Sequence, residues 1–307
     1  MNIGFIGAGN MGGAIIKGYA ASGAMPSDGA MMADGATTSD CAKASGGADA
    51  LFVYDSDAAK AAALVDAGLP VGAADSLARL AELCDTLVLC VKPNVMDAVL
   101  DELAALGVGA GEAQGAGASA SDPCGKLVIS IAAGIGIGHI QEKLGAGTRV
   151  VRVMPNTPAM VGEGMSAMSA SGGLSEADAG AAERLFSAVG KAVWVDEGLM
   201  DIVTGISGSS PAYAYMYIEG LVRAGVDGGL SKEAATVLAA QSTLGAAKMV
   251  LENIGETEPR QLCANVCSPG GTTIEAVKVL EEEGFVETVS RAAKASAAKS
   301  RILACAK

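Results

Sequence analysis

The chain has 307 residues, of which 50% are hydrophobic and 3% aromatic, and it carries a formal net charge of -13 at pH 7. That length suits two ordinary domains, and the charge repels nucleic-acid backbones and anionic lipid surfaces, so neither nucleic acid nor a membrane is an expected partner. With so few rings the core has to be built from Ala, Val, Leu, Ile and Met, which favours close helix packing.

The seven cysteines, Cys41, Cys84, Cys90, Cys124, Cys263, Cys267 and Cys305, form no CxxC pair and no metal spacing with the only histidine, His139. An odd, scattered set reads as reduced thiols in a cytoplasmic protein without a metal. MNIGFIG opens in a strand pattern, lacking the basic segment and apolar run of a secretory leader. The most apolar stretch, LVISIAAGIGIGHI at 127–140, is too short and glycine-rich to span a bilayer as a helix. His139 within it reads as a helix-start or surface residue.

Along the first half, β-rich runs alternate with Ala-rich helical segments, which predicts a parallel sheet with crossover helices. NIGFI (2–6), ALFVY (50–54), TLVLCV (86–91) and KLVISI (126–131) read as strands, with VVRVM (150–154) and KAVWV (191–195) extending the sheet. Their near-continuous apolar character fits strands covered on both faces. Two stretches rich in Gly, Ala, Ser and Asp, 25–47 and 107–125, are longer than ordinary connections and read as partly disordered surface insertions.

Directly after the first strand, GFIGAGNMGGAI sets Gly7, Gly9 and Gly12 at the start of a helix. In that context Gly7 permits the tight turn, Gly9 lets the backbone approach a pyrophosphate, and Gly12 lets the helix pack on the sheet. Ala8, Asn10 and Met11 share the turn, and the expected cofactor is a nicotinamide dinucleotide. The second strand ends Tyr54-Asp55, where a carboxylate accepts hydrogen bonds from a ribose diol but repels a 2'-phosphate. Asp55, followed by Ser56, therefore predicts NADH over NADPH. In CVKPN (90–94), Pro93 turns the chain out over the C-terminal edge of the sheet, bringing Val91, Lys92 and Pro93 beside the cofactor. SIAAG (130–134) reaches the same edge, and the small Ala132 leaves room for a nicotinamide ring.

Beyond residue 199 the strand signals stop, dividing a dinucleotide-binding domain at 1–198 from a helical, substrate-binding domain at 199–307. Segments 211–227, 231–254 and 273–304 read as helices, with starts marked by Ser231 and Glu233 and by Glu258 and Pro259, and stops by Gly228, Gly229 and Gly255. In SGSSPAY (207–213), Ser207, Ser209 and Ser210 are capping candidates that could equally line an active site, and Pro211 suits a first helical turn. EAATVLAAQSTLGAAKMVLEN is apolar around much of its circumference, which implies a partner subunit and a homodimer built through the helical half. Further on, in NVCSPGGTTIEA (265–276), Gly270, Gly271, Thr272 and Thr273 offer convergent amides and hydroxyls at a helix start, a site for a small anion.

The blocks FIGAGNMG (5–12), VKPNVM (91–96), SIAAG (130–134), RVMPNTPAMVGEG (152–164), the run from Asp201 through TGISGSSPAY, and NVCSPGGTTIEAVKVLEEEGF (265–285) together resemble the pyrroline-5-carboxylate reductases, over nearly the whole chain apart from the two insertions. The resemblance implies an α/β N-terminal Rossmann-type doubly wound domain followed by an all-α C-terminal dimerisation domain, with dimers joining into rings as large as a decamer. It implies reduction of Δ1-pyrroline-5-carboxylate to L-proline by hydride from NADH or NADPH, the last step of proline biosynthesis. It further implies that Ser268, Thr272 and Thr273 contact the substrate's carboxylate and ring nitrogen, that Asn265 contacts the cofactor, and that Glu197 lies near bound proline. The carboxylate-holding loop can come from a neighbouring subunit. A substrate bound as its iminium ion needs no enzyme acid during hydride transfer, in keeping with a single histidine, and Thr273 is the hydroxyl expected at the ring nitrogen. Two other readings remain: a reductase of another cyclic imine or of a β-hydroxyacid sharing the nucleotide half, and a non-catalytic NAD(H) sensor, which would have no need of the second anion site.

Overall fold

The computed structural model describes residues 1–23, 49–109 and 125–305, the last without its side chain. The expected insertion at 25–47 lies outside these residues, as does the one at 107–125 apart from its edges. β1 (Asn2–Ile6) runs into α1 (Asn10–Ala21), and the alternation continues through β2 (Ala50–Tyr54), α2 (Ala58–Asp66), β3 (Val71–Ala73), α3 (Leu77–Leu83), β4 (Thr86–Leu89), α4 (Met96–Ala105), β5 (Leu127–Ser130), α5 (Ile137–Leu144) and β6 (Arg149–Met154). With β7 (Gly164–Ala170), α6 (Glu176–Ser187) and β8 (Gly190–Trp194) they build one eight-stranded sheet in the order β3-β2-β1-β4-β5-β6-β7-β8. The strand order reverses between β1 and β4, and at such a point the carboxyl ends of the strands leave a crevice.

The apolar strands divide their side chains between two cores, as alternation along a strand requires. Phe5, Val53, Val88 and Ile129 point into one, covered by α1, α2 and α6; Ile6, Phe52, Leu89 and Val128 point into the other, covered by α3, α4 and α5. Helices on both faces of the sheet make this the doubly wound arrangement anticipated from the sequence.

β3 and β7 have no counterpart among the expected strands. β3 is three residues long, and GMSAMSA in β7 lacks the β-branched and aromatic residues that mark a strand, burying Ser166 and Ser169 instead. β7 also breaks the all-parallel pattern: it pairs antiparallel with β6 and parallel with β8. The connection from Pro155 to Glu163 is too short to carry a crossover helix, so the chain can only turn back beside β6.

The start of α6 holds a buried electrostatic knot. The Ser175 hydroxyl accepts from the Asp178 N–H at 3.1 Å and donates to Asp178 Oδ2 at 2.7 Å, and Arg149 Nη1 reaches the same oxygen at 2.5 Å. Burial pushes the Asp178 carboxyl upward, but the Ser175 and Arg149 hydrogen bonds outweigh it and hold the group below its ordinary range.

Contacts divide the chain into two compact units, Met1–Gly208 with Ala297–Lys307, and Ser209–Ser296. The first also contains α7 (Met200–Val203) and the π-helical turn Thr204–Gly208. The second contains α8 (Ser210–Asp227), α9 (Lys232–Glu252), α10 (Pro259–Asn265), α11 (Thr272–Glu282) and most of α12 (Phe285–Cys305). The helix expected over 273–304 is thus two helices. Gly284 between them takes φ +64°, the left-handed conformation that ends a helix and favours glycine. α8 and α9 approach closely where Gly225 meets Ala235: a Cβ on Gly225 would lie 2.9 Å from that of Ala235. On α9 only Ala235 and Ala239 are buried, whereas Val237 is 67% and Leu238 60% exposed. The apolar circumference seen in the sequence therefore faces outward within a single chain.

Because Asp178 is depressed in the folded protein, its contribution is complete above the ordinary carboxylate pKa and is lost as pH falls through the lowered one. Asp178→Asn should cost about 2 kcal/mol at neutral pH, the scale of hydrogen bonds to a charged group. Urea denaturation should show the gap between variant and wild type shrinking as pH falls below the ordinary carboxylate range; a gap independent of pH would contradict the assignment.

Candidate functional site

Gly7 is the first residue beyond β1, at the reversal of strand order. It takes φ +107°, and a Cβ there would lie 2.9 Å from the Cys90 carbonyl oxygen, so the turn admits only glycine. A Cβ on Gly12 would fall 2.3 Å from the Gly7 oxygen, which is why α1 can begin directly beneath the strand. Gly9 is different in kind. It is the exposed N-cap of α1, makes no side-chain cap, and a Cβ on it would meet nothing within 4 Å. No side chain caps the first-turn amides, which begin at exposed Asn10 and half-buried Met11, and the positive end of the helix dipole lies behind them. That is the cradle an anion such as a pyrophosphate requires.

Asp55 fixes this cradle in place. Its Oδ2 accepts from the Ala8 N–H at 2.8 Å and its Oδ1 from the Asp57 N–H at 2.9 Å, with Lys60 Nζ 4.0 Å from Oδ1. The carboxylate expected to meet a ribose therefore first ties the glycine turn to the end of β2, and each oxygen keeps a lone pair for a further donor. Gly7, Asp55, Ser56 and Val91 line one cavity of about 230 Å³, walled on α4 by Glu102. Lys92 is exposed just before the 3₁₀ turn Pro93–Val95, whose Val95 reaches the same cavity. Ala132 is buried beyond the end of β5.

A larger cleft of about 510 Å³ follows α1 outward from Ala8, Gly9 and Asn10, with Lys17 and Lys60 on its walls. These two ammonium groups stand near the glycine turn of a strongly acidic chain, and sequence reasoning missed both. Lys17 lies two helical turns beyond Asn10 and Lys60 comes from α2, so no local spacing reveals them.

α5 shows a glycine-started helix whose acceptor comes from the chain itself. Its N-cap Gly136 has no capping side chain, and Glu197 Oε1 accepts the Ile137 N–H at 2.8 Å while pairing with Arg152 Nη1 at 3.1 Å. Glu197, expected beside a bound product, thus has one oxygen engaged within the protein. Asn156, from RVMPNTPAMVGEG, is buried with both ends of its amide used: Nδ2 donates to Ser207 O at 3.0 Å and Oδ1 accepts from Met165 N–H at 2.8 Å. The caps expected of Ser207, Ser209 and Ser210 do not form. Ser207 Oγ donates back to Val203 O, and the N-cap Ser209 shares a hydrogen bond with Ser296. His139 sits in the first turn of α5, half-buried, with Nε2 2.6 Å from Asp97 Oδ1.

In the second unit, the turn 266–271 joins α10 to α11. Gly270 takes φ +70°, and a Cβ on Gly271, the N-cap of α11, would lie 2.4 Å from Ser268 Oγ and 3.1 Å from Ser268 O, so a side chain there would displace the Ser268 hydroxyl. Gly271 donates to Ser268 O at 3.0 Å, closing the turn, and no side chain caps the helix. The first-turn amides at Thr272 and Thr273 and the exposed hydroxyls of Ser268, Thr272 and Thr273 therefore cluster at one helix end. Asn265 closes α10, exposed, its Oδ1 accepting from Gln261 at 2.9 Å.

Comparison with known proteins gives a consistent picture. A family described as pyrroline-5-carboxylate reductase dimerisation matches residues 197–303, and one described as NADP oxidoreductase, coenzyme F420-dependent, matches residues 2–134. The pyrroline-5-carboxylate reductase of Escherichia coli (strain K12) is 38% identical over 94% of this chain and 93% of its own length. Among solved structures, a pyrroline-5-carboxylate reductase from Coxiella burnetii is 32% identical with a TM-score of 0.80, covering 98% of each chain. The Plasmodium falciparum pyrroline carboxylate reductase, solved with NADP bound, is 30% identical with a TM-score of 0.76 over 99% of this chain and 98% of its own.

Gly12→Ala should be costly because its new methyl group meets backbone rather than a flexible side chain. A loss of about 1–3 kcal/mol, the usual scale of overpacking, is expected in urea denaturation, together with weaker dinucleotide binding by fluorescence titration.

Proposed function

The chain belongs to the pyrroline-5-carboxylate reductase family, and from that premise we propose that the turn at residues 268–273 holds the carboxylate of Δ1-pyrroline-5-carboxylate while the turn at 7–12 holds the dinucleotide that reduces it. The activity is the reduction of this cyclic imine to L-proline with a nicotinamide cofactor, the closing step of proline biosynthesis. The observation carrying the residue assignment is the uncapped N-terminus of α11, where Gly270 and Gly271 keep side chains out of the way of the amides. A carboxylate already occupies the equivalent position on α5, where Glu197 binds the Ile137 amide, so the substrate repeats a contact this chain makes internally.

The glycine turn, Asp55, Ser56 and Val91 fit a dinucleotide: Gly9 leaves the phosphate cradle open, and Gly7, Asp55, Ser56 and Val91 line the 230 Å³ cavity at the strand ends. When bound, the cofactor supplies the hydride. The protein's own residues orient and hold. Amides at Thr272 and Thr273 neutralise the carboxylate, Ser268 and Thr272 hydroxyls fix its plane, and Thr273 Oγ1 meets the ring nitrogen, leaving the C=N carbon exposed on one face. Asn265 holds the cofactor, and Lys92, Pro93 and Ala132 border the nicotinamide. Glu197 orders the start of α5 and directs its second oxygen toward the product. Reduction of an iminium yields a neutral amine, so no side chain has to deliver a proton in the same step.

For cofactor choice, Asp55 and Glu102 bring two carboxylates to one small cavity, which disfavours a 2'-phosphate, and NADH is the preferred donor. The chain forms a homo-oligomer. Its dimer is built through the outward apolar faces of α8 and α9, with dimers assembling into a decamer. α9 is long and apolar enough to cross a membrane by length and composition, but a second copy covering it accounts for the same surface in a cytoplasmic enzyme.

Oxidation of NADH should be rapid with pyrroline-5-carboxylate and much slower with larger cyclic imines or β-keto acids; the reverse order would redirect the assignment to another reductase. Thr273→Ala should lower kcat by roughly ten- to a thousand-fold, the range for one positioned polar group, and unchanged kinetics would remove Thr273 from the mechanism. Steady-state measurement with both cofactors should give the higher kcat/KM with NADH, and a higher value with NADPH would refute the role given to Asp55.

A further inference from the structure

Four described cysteines are free thiols, and they fall into two kinds. Cys84 lies buried under the sheet, where burial pushes its thiol up to about 12, and Cys90 packs against Gly12, raised further by the same cause. Such thiols are inert. Cys263 and Cys267 are placed otherwise. Cys263 is exposed on α10, Cys267 is half-buried four positions on in the turn beyond it, and Cys263 is near enough to help raise the Cys267 thiol. Cys267 immediately precedes Ser268, the first residue of the anion turn.

We propose that Cys263 and Cys267 close a reversible disulfide on reaction with a low-molecular-weight disulfide, and that closure distorts the turn at 268–273 and weakens its grip on a carboxylate. The functional half of this proposal rests on the carboxylate reading of that turn. The exposed Cys263, as thiolate, attacks the reagent's S–S bond, releasing one thiol and leaving a mixed disulfide. Cys267 then attacks Cys263 Sγ, releases the second thiol, and each cysteine gives up its proton to solvent or to a departing thiolate. Partial burial, and after it the neighbouring Cys263, raises the Cys267 thiol above its ordinary range, which suits it to the second, intramolecular step rather than the first.

The mechanical consequence follows from distances. A disulfide requires Cβ atoms about 3.5–4.5 Å apart, closer than the about 5–6 Å of residues four apart on a helix, so closure fixes Cys263 and Cys267 at less than a helical spacing. α10 has ended by then: Val266 and Cys267 donate to carbonyls only three residues back, at 3.2 and 3.0 Å. The turn therefore moves in preference to the helix. Ser268 moves with it, and its carbonyl and hydroxyl are the groups packed against Gly271 at the entrance to α11.

Incubating the full-length enzyme with glutathione disulfide tests this. The tryptic peptide 261–278 contains both cysteines. It should lose the mass of two hydrogens, and KM for pyrroline-5-carboxylate should rise about 10- to 100-fold, the scale of one or two lost hydrogen bonds to a charged group. Dinucleotide affinity should stay constant and dithiothreitol should restore KM. Cys263→Ser should match the untreated wild type and resist the reagent. A peptide that keeps both thiols free under conditions that glutathionylate exposed cysteines overturns the site, as does equal inactivation of Cys263→Ser. A disulfide that forms without changing KM overturns the coupling. Should the carboxylate reading itself be wrong, Ser268→Ala and Thr273→Ala will leave the kinetics untouched even though the disulfide forms.

Discussion

The first turn of every α-helix has amide hydrogens with no partner inside the helix, and the way this chain disposes of them organises its chemistry. At three helices a serine side chain takes one up: Ser76, Ser175 and Ser231 accept the hydrogen bonds that start α3, α6 and α9. Three other helices begin at glycine and have no such side chain. α5 receives the Glu197 carboxylate. α1 and α11 have no side-chain cap on the same donors, and these are the two helix starts proposed above to hold a pyrophosphate and a ring carboxylate. On that proposal an acidic protein binds two anionic partners mainly through backbone dipoles, which are fixed by the fold and bring no net charge.

Keeping those donors open depends on close packing elsewhere. Gly7 and Gly12 allow β1, the turn and α1 to sit against Cys90 without a side chain between them, and Asp55 ties the turn to the neighbouring strand through the Ala8 amide. Both cores meet at this edge, since successive residues of β1, β2 and β4 enter opposite layers. A cradle built in this way cannot collapse onto itself when empty, so little ordering has to occur on binding.

The helical unit follows a different economy of side chains. Alanine and glycine at the α8–α9 contact let the backbones approach, while the larger apolar residues Val237, Leu238 and Met249 point outward. That pattern would be a liability in a monomer and is what a homo-oligomeric interface needs. Cys263, Cys267 and the turn proposed to hold a carboxylate lie at the end of α10 and the start of α11, between the hydrogen-bond ladders of the two helices.

How much of this was legible from the residues varies with the range of the interaction. The six apolar strands, the GxGxxG turn and the Gly270-Gly271-Thr272-Thr273 cluster could be read directly, because each depends on neighbours within a few positions and on glycine's freedom from a Cβ. β3 and β7 could not, since a short strand and one built of Gly, Ser, Ala and Met become strands only by pairing with β2, β6 and β8. Nor could the break at Gly284, where a helical pattern runs on both sides of a single left-handed residue.

The sequence by itself determined the local chemistry: which stretches alternate and which turns need glycine. Only the tertiary structure decided which partner each polar group would take. It gave Asp55 to the Ala8 amide, Glu197 to Arg152 and the start of α5, and Asn156 to Ser207 and Met165. A carboxylate or amide finds its donors by distance in space, and contacts across 47, 60 and 51 positions leave no periodic trace along the chain.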